Sequence, residues 1–136
     1  MNTPSVYTLE TGTRPLLVSM PHCGTALPPA VRDQLVPRAW DTEDTDWHMP
    51  VLYSFAKAMG ASVIVPHYAR YVIDLNRPPD DTPMYPGASN TELCPTRFFT
   101  GEPLYTHATD PSPADRAQRL EAYWRPYHDA LRAELT

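Results

Sequence analysis

The sequence has little that would commit the chain to a membrane, a nucleic acid or a disulfide scaffold. Its longest apolar runs, Leu16-Leu17-Val18 and Val63-Ile64-Val65, are far shorter than the roughly 20 residues that a membrane-spanning helix needs. No run of basic residues is present and the formal net charge is −5, so nucleic acid is not an expected partner. Residues 1–10 lack the basic and apolar regions of a secretion signal. The cysteines, Cys23 and Cys94, form no CxxC pair, and we therefore expect a reducing, cytoplasmic location.

What is present suits one modest globular domain. The chain has 136 residues, of which 42% are hydrophobic, enough to bury a core. Its 17 prolines are scattered between apolar segments, and they indicate loops of a folded domain rather than a linker. We expect a single α/β domain over residues 1–136.

Three strands are predicted from runs of β-branched, aromatic and aliphatic residues. They cover Leu16–Met20, Ser62–Val65 and Tyr71–Leu75. Alternation of strands and helices along the chain predicts an α/β fold with a partly parallel sheet.

Helices are predicted in three places. Pro28-Pro29 favours a short helix to Leu35, since proline fits a first turn. The acidic segment Asp44–Asp46 can cap a second helix, which Gly60 is placed to end. The apolar face of that second helix consists of Val51, Leu52, Phe55, Ala56 and Met59.

The third helix has a clear start. Ser112 is the predicted cap, with Pro113 in the first turn and Asp115 at the position that completes a reciprocal cap. Pro126 lies inside this helix and should kink or break it locally. Its apolar stripe consists of Leu120, Trp124, Tyr127, Leu131 and Leu135.

The segment from Arg70 to Pro79 is the best candidate for binding an anion. Arg70 and the pair Asn76-Arg77 flank the apolar run, and Pro78-Pro79 ends it. An arginine can grip a carboxylate through two parallel hydrogen bonds, and a second can stabilise an oxyanion. The alternatives remain open: an ion pair between Arg70 and Asp74, and a simple turn at Asn76-Arg77.

A metal site is a second possibility. His22 directly follows the first predicted strand, at the end of a strand where α/β sites lie, and Asp44 and Asp46 precede the second helix. A histidine and a carboxylate from separate segments are a common start of a zinc site. The alternatives are a hydrogen-bonded turn histidine and acids that cap a helix.

The other histidines and the thiol next to His22 give weaker signals. His48, His67, His107 and His128 have no partner at ligand spacing, and we interpret them as structural or exposed. Cys23 could be a nucleophile, but an inert small residue is the simpler interpretation, because no base is evidently arranged for it.

Taken together, the chain resembles the N-formylglutamate amidohydrolases, and its Arg-Tyr…Asp-Leu-Asn-Arg segment is similar to aspartoacylases and, more distantly, to zinc carboxypeptidases. The similar blocks follow one another in order over nearly the whole chain. They are Pro15 to His22, Asp44 to His48, Leu52-Tyr53, Arg70 to Pro79, Tyr85-Pro86-Gly87, Leu93-Cys94-Pro95 and Trp124 to His128.

The resemblance implies a phosphorylase/hydrolase-like mixed sheet flanked by helices, and a zinc-dependent enzyme that hydrolyses N-formyl-L-glutamate in histidine degradation. It also implies the metal ligands. His22 matches the first of them, and the acidic ligand falls at Asp44 or Asp46, with Asp46 slightly favoured.

The family pattern also assigns substrate-handling residues. Arg70 matches the arginine that polarises the scissile carbonyl. Asn76 and Arg77 match the pair that grips a carboxylate of a small N-acyl amino-acid substrate.

Two family elements have no match in the sequence. Members are considerably longer, and their second metal histidine lies in an Asp-x-His-Ser segment that this sequence lacks. The glutamate that activates water has no evident counterpart. We therefore expect an N-terminal part of an amidohydrolase, with an incomplete zinc site and sheet. The stripe of the last helix should then be exposed and able to mediate self-association. The alternative is a non-catalytic module that binds a carboxylate or a partner, or that is inert.

Overall fold

The computed structural model describes residues 6–52, 54–80, 92–106 and 110–135, the side chains of Pro50 and Leu52 excepted. Three strands and a set of short helices precede one long C-terminal helical segment. The strands are β1 (Tyr7–Glu10), β2 (Leu17–Ser19) and β3 (Ser62–Pro66). The helices are α1 (Pro29–Arg32), a 3-10 helix (Pro37–Asp41), α2 (Met49–Leu52), α3 (Ser54–Ala58), α4 (Pro113–Arg119), a π-helical turn (Leu120–Trp124) and α5 (Arg125–Leu135).

The sheet is mixed, in the order β1-β3-β2. Its central strand β3 runs antiparallel to β1, with Leu9 opposite Ile64, and parallel to β2, with Val18 opposite Val63. The prediction of a mixed α/β architecture is confirmed. The strands predicted at Leu16–Met20 and Ser62–Val65 correspond to β2 and β3. Strand β1 was not predicted, because four alternating residues next to the N-terminus give too short a pattern.

The core joins the sheet and α5 to the buried segments 68–75 and 93–105. Side chains of β3 alternate, so that Ile64 is fully buried on the face that α5 covers. Tyr127 of α5 is also fully buried, and its hydroxyl lies 2.7 Å from the hydroxyl of Ser19 and 3.4 Å from the Ile64 carbonyl. This packing fixes the position of β2, whose carboxyl end leads to His22.

The predicted strand at Tyr71–Leu75 is wrong. The segment is a buried turn, in which the N–H of Val72 bonds to the carbonyl of Ala69 and the N–H of Asp74 bonds to that of Leu93. All five residues are buried, with Val72 and Asp74 at 0% exposure. The apolar run therefore reflected burial, which both a strand and a buried turn require.

The second predicted helix starts later than expected and faces solvent. It begins at Met49, after His48 at a positive φ of 64°, rather than at Asp44–Asp46. Gly60 follows it at a φ of 93°, as predicted. Of the predicted apolar face only Ala56 is buried; Val51, Phe55 and Met59 are exposed, and the side chain of Leu52 lies outside the described residues.

The C-terminal helix begins as predicted. The hydroxyl of Ser112 accepts a hydrogen bond from the N–H of Asp115. The local break expected at Pro126 takes the form of the π turn, in which the N–H of Arg125 bonds to the carbonyl of Leu120. Proline has no N–H to continue a regular ladder, and a wider turn is one way in which a helix accommodates that.

The apolar stripe of this helix packs inward, so the expectation of an exposed stripe is wrong. Tyr127 is in the core, and Leu120, Trp124 and Leu131 are partly buried against it. Only Leu135 is exposed, at 73%. Within the described residues, every helix is too short or too polar to traverse a bilayer.

Candidate functional site

His22 lies just beyond β2 and is oriented by a carboxylate. Its Nε2–H donates to Oδ1 of Asp74 over 2.5 Å. The His22 side chain is 13% exposed and that of Asp74 is not exposed at all. With Nε2 occupied in this way, Nδ1 is the ring nitrogen that remains to face the acidic segment.

Asp74 holds three groups together. Beside His22, its Oδ1 accepts from the N–H of Asn76 at 2.9 Å, and its Oδ2 accepts from Nη2 of Arg70 at 3.0 Å. Burial by itself would raise the pKa of Asp74. The hydrogen bond and charge of His22 and the charge of Arg70 outweigh burial, so the pKa of Asp74 lies below its usual range. Asp74 is therefore a buried anion that joins the histidine to the arginine.

The two candidate acids have different surroundings. Oδ2 of Asp46 lies 3.9 Å from Nδ1 of His22 and its side chain is 49% exposed. In contrast, Oδ2 of Asp44 accepts from the hydroxyl of Tyr71 at 2.7 Å and from the N–H of Phe99 at 3.0 Å. Asp46 therefore lies next to His22, whereas the carboxylate of Asp44 is hydrogen-bonded to the side chain of Tyr71 and the backbone of Phe99.

Arg70 is buried, and the ion pair with Asp74 that the sequence left open is present. Its Nη1 lies 3.5 Å from the carbonyl of Asp44, and its guanidinium lies 4.7 Å from the ring centroid of Phe99. A guanidinium carries five N–H donors, so these contacts leave donors for a ligand. Arg70 and His22 therefore belong to the same hydrogen-bond network, which Asp74 connects.

The turn at Asn76-Arg77 is supported from the C-terminal helix. Trp124 donates from Nε1 to the carbonyl of Arg77 at 3.0 Å, and His128 donates from Nε2 to that of Leu75 at 2.8 Å. The two rings stack at a centroid distance of 3.8 Å. Asn76 is exposed and Arg77 is partly exposed, and Nη1 of Arg77 donates to the carbonyl of Asn76 at 3.1 Å.

The thiol next to His22 is not activated. Burial, followed by the negative charge of Asp46, raises the pKa of Cys23 to about 11. A catalytic thiol needs a lowered pKa, so this environment supports an inert Cys23.

Among the described residues, His48, His67 and His128 do not combine with His22 in a group that could hold a metal ion. His48 is exposed, and His67 hydrogen-bonds to Thr8 at 2.6 Å. His107 lies outside the described residues, as do Tyr53 and the Tyr85-Pro86-Gly87 block. Within the described part of the chain, no cluster of three or more His, Cys, Asp or Glu side chains is arranged to hold a metal ion.

The residue that sequence reasoning missed is Asp74. It was considered only as a partner of Arg70, four positions away, whereas its contact with His22 spans 52 positions and depends on the fold. The aspartate in the Asp-Leu-Asn-Arg segment was the available signal.

Comparison with known proteins places these residues in a family. Residues 14–136 match the family model described as N-formylglutamate amidohydrolase. The chain is 53% identical over 130 residues to an N-formylglutamate deformylase of Pseudomonas putida and 49% identical to one of Pseudomonas aeruginosa. Each match covers 96% of this chain and 48% of the relative, so the chain spans about half the length of these curated relatives.

Solved structures agree with this result. The crystal structure of an N-formylglutamate amidohydrolase from Ralstonia eutropha superposes with a TM-score of 0.76 at 25% identity, covering 97% of this chain and 51% of that one. A gene product of Agrobacterium tumefaciens shares the fold, with a TM-score of 0.68 at 19% identity over 97% of this chain and 50% of its own. With the family model matching most of the chain, this protein belongs to the N-formylglutamate amidohydrolase family.

Proposed function

We propose that this chain is part of a zinc-dependent amidohydrolase that hydrolyses N-formyl-L-glutamate to formate and L-glutamate. The names of the Pseudomonas relatives support the substrate. The observation that carries the assignment of residues is the hydrogen bond from His22 to the buried Asp74, which leaves Nδ1 of His22 facing Asp46.

The residues present fit zinc as two donors of a larger set. Imidazole nitrogen and carboxylate oxygen are ordinary zinc ligands, and a ligating histidine usually donates its other N–H to a carboxylate. His22 and Asp46 would hold the ion, and Asp74 would fix the ring of His22. Asp44 is the weaker candidate, because its carboxylate already accepts two hydrogen bonds. A bound zinc ion supplies a Lewis acid and a water of lowered pKa.

The chain's own residues would bind and polarise the substrate. Arg70, fixed by Asp74, would donate to the formyl oxygen as negative charge develops there. Asn76 and Arg77 would grip a carboxylate of the substrate, for which a guanidinium fork is suited. On the family resemblance we also propose a cytoplasmic location and a place in histidine degradation.

A second candidate function is a non-catalytic carboxylate-binding module. The observation that favours it is the donor count: among the described residues only His22 and Asp46 converge as a histidine–carboxylate pair open to a metal. A thiol hydrolase that uses Cys23 is disfavoured by the raised pKa of that thiol.

Zinc titration by calorimetry, together with an assay of formate release, tests these roles. Residues 1–136 should bind zinc weakly, since a catalytic site normally has three protein ligands. Asp46→Ala or His22→Ala should weaken binding at least tenfold, whereas Asp44→Ala should leave zinc affinity close to that of the wild type. Equal zinc affinity in all four proteins would contradict the assignment of His22 and Asp46. Robust zinc-dependent formate release by residues 1–136 alone would contradict the carboxylate-binding alternative.

A further inference from the structure

Phe99 is a large apolar side chain that lies against the candidate site and yet remains exposed. Its ring centroid lies 4.7 Å from the guanidinium carbon of Arg70, and the residue is 60% exposed. The preceding residue, Phe98, is only 3% exposed and belongs to the core. Of two adjacent phenylalanines, one therefore packs inside the domain, while the other lies at the surface on the face of the candidate oxyanion-binding arginine.

Backbone hydrogen bonds hold Phe99 in this place. Its N–H donates to Oδ2 of Asp44 at 3.0 Å. The N–H of Gly101 donates to the carbonyl of Phe98, and the N–H of Phe98 donates to that of Glu102, both at 2.9 Å. Gly101 has a φ of 99°, which glycine adopts readily. The position of Phe99 is therefore set by a closed turn rather than by burial of its own ring.

Arg38 connects this turn to the acidic segment. Its guanidinium donates to both carboxylate oxygens of Glu43, at 2.6 and 2.7 Å, and to the hydroxyl of Thr100 at 3.0 Å. The same guanidinium lies 4.0 Å from the ring centroid of Phe98. A two-pronged pair between arginine and carboxylate fixes the relative orientation of its partners. The turn that carries Phe99 and the acidic segment are therefore held together as one wall of the site.

The location of the ring determines which part of a substrate it meets. In the proposed reaction the scissile carbonyl lies between the candidate metal ligands, His22 and Asp46, and the donors of Arg70. Phe99 lies on Arg70, and its backbone is bonded to Asp44, two positions from Asp46. A substrate whose carbonyl oxygen accepts from Arg70 therefore brings the substituent of its acyl carbon next to this ring.

We propose that Phe99 is a specificity-determining residue, the wall of an acyl subsite that accepts a formyl group and disfavours acetyl and larger groups. A formyl carbon carries only hydrogen, whereas an acetyl carbon carries a methyl group that needs the space of the ring. One carbon more or less in an apolar pocket changes specificity about 10- to 200-fold. This inference rests on the proposed function, because it requires the substrate carbonyl to accept from Arg70.

The test compares the binding of N-formyl-L-glutamate and N-acetyl-L-glutamate to residues 1–136, measured by NMR titration without added zinc. The two compounds share both carboxylates and differ by one methyl group, so the ratio of their dissociation constants reports on the acyl subsite. The wild type should bind the formyl compound roughly tenfold more tightly, or better. Phe99→Ala should reduce this preference at least fivefold, because the acetyl compound gains space and binds more tightly.

Phe55→Ala is the matched control. Phe55 belongs to α3 and is 56% exposed, close to the exposure of Phe99, and its replacement should leave the preference unchanged. Phe99→Ala keeps the backbone N–H that bonds to Asp44 and removes a mostly exposed ring, so the variant should fold. Urea denaturation of both variants checks this.

Arg77→Ala separates the acyl subsite from the proposed function. It should weaken both compounds to the same extent, since the carboxylates are common to them, and should leave the preference unchanged. Absence of binding of either compound to the wild type would overturn the proposed function and the acyl subsite together. Binding of both compounds with the same preference in the wild type and in Phe99→Ala would overturn the role of Phe99 alone, as would a wild type that binds them equally.

Discussion

His22 and Asp74 are joined by a hydrogen bond of 2.5 Å between side chains 52 positions apart, and the aspartate has no exposed surface. The same carboxylate forms the ion pair with Arg70. The candidate metal ligand and the candidate oxyanion-binding residue therefore depend on one buried charge.

Asp74→Asn should destabilise the chain strongly, because it leaves the buried guanidinium of Arg70 without its anion. Breaking a buried pair in this way costs about 3–5 kcal/mol. Urea denaturation measures the change in the free energy of unfolding. Glu121→Gln is the control: Glu121 and Arg125 also form an i,i+4 pair, but on the surface, so little or no change is expected. Equal effects of the two substitutions would contradict the buried network.

Asp44→Asn should lower stability without affecting zinc. Asp44 accepts from the Tyr71 hydroxyl and the Phe99 N–H, and an amide is a weaker acceptor than a carboxylate. We expect a loss of about 1–2 kcal/mol in the free energy of unfolding, measured with urea. Zinc affinity measured on the same protein should match the wild type. Loss of zinc affinity with unchanged stability would instead place Asp44 in the metal site.

Cys23 should react slowly with iodoacetamide. Its pKa is raised to about 11, so the thiolate fraction at pH 8 is roughly 10²-fold below that of an ordinary thiol. Mass spectrometry of the peptide that contains Cys23 gives the rate, with the urea-unfolded chain as reference. Asp46→Asn should raise the rate, since the charge of Asp46 contributes to the shift. A folded-state rate equal to the unfolded one would contradict the raised pKa.

His128 should make the fold less stable in mild acid. Burial lowers the pKa of His128, and the nearby charge of Arg132 acts in the same direction. A lowered folded-state pKa means that the unfolded chain binds the proton first, as pH falls below about 6.5. Stability is therefore complete above that pH and declines below it, until the folded-state pKa is passed. Free energies of unfolding should fall less steeply below pH 6.5 for His128→Gln than for the wild type. Parallel curves would contradict this origin of the pH dependence.

Local patterns in the sequence predicted what local physics determines. The strands at β2 and β3, the Ser112 cap and the positive φ at Gly60 follow from short segments and were found. The apolar run at Tyr71–Leu75 indicated burial correctly but not backbone conformation, because a continuous run has no period to distinguish strand from turn.

The candidate site could be predicted only in part, for a similar reason. The resemblance selected His22, Arg70, Asn76 and Arg77, and the structure supplies the residue that connects the first two. The choice between Asp46 and Asp44 depends on where a hydroxyl and an N–H of distant segments lie. The residues next to those acids in the sequence do not predict these contacts, because the partners of Asp44 are 27 and 55 positions away.

The π turn at Leu120–Trp124 has a consequence for insertions and deletions in this helix. Each residue of an α-helix advances it by about 100°. A π turn takes up one more residue than an α turn over nearly the same rotation. Deleting one residue from this turn would therefore restore regular winding and leave Tyr127 facing Ser19. A deletion within the regular winding between the turn and Tyr127 would instead rotate Tyr127 by that angle, away from Ser19. The π turn is thus the place in this helix where the length of the chain can change by one residue while α5 keeps the same face toward the sheet.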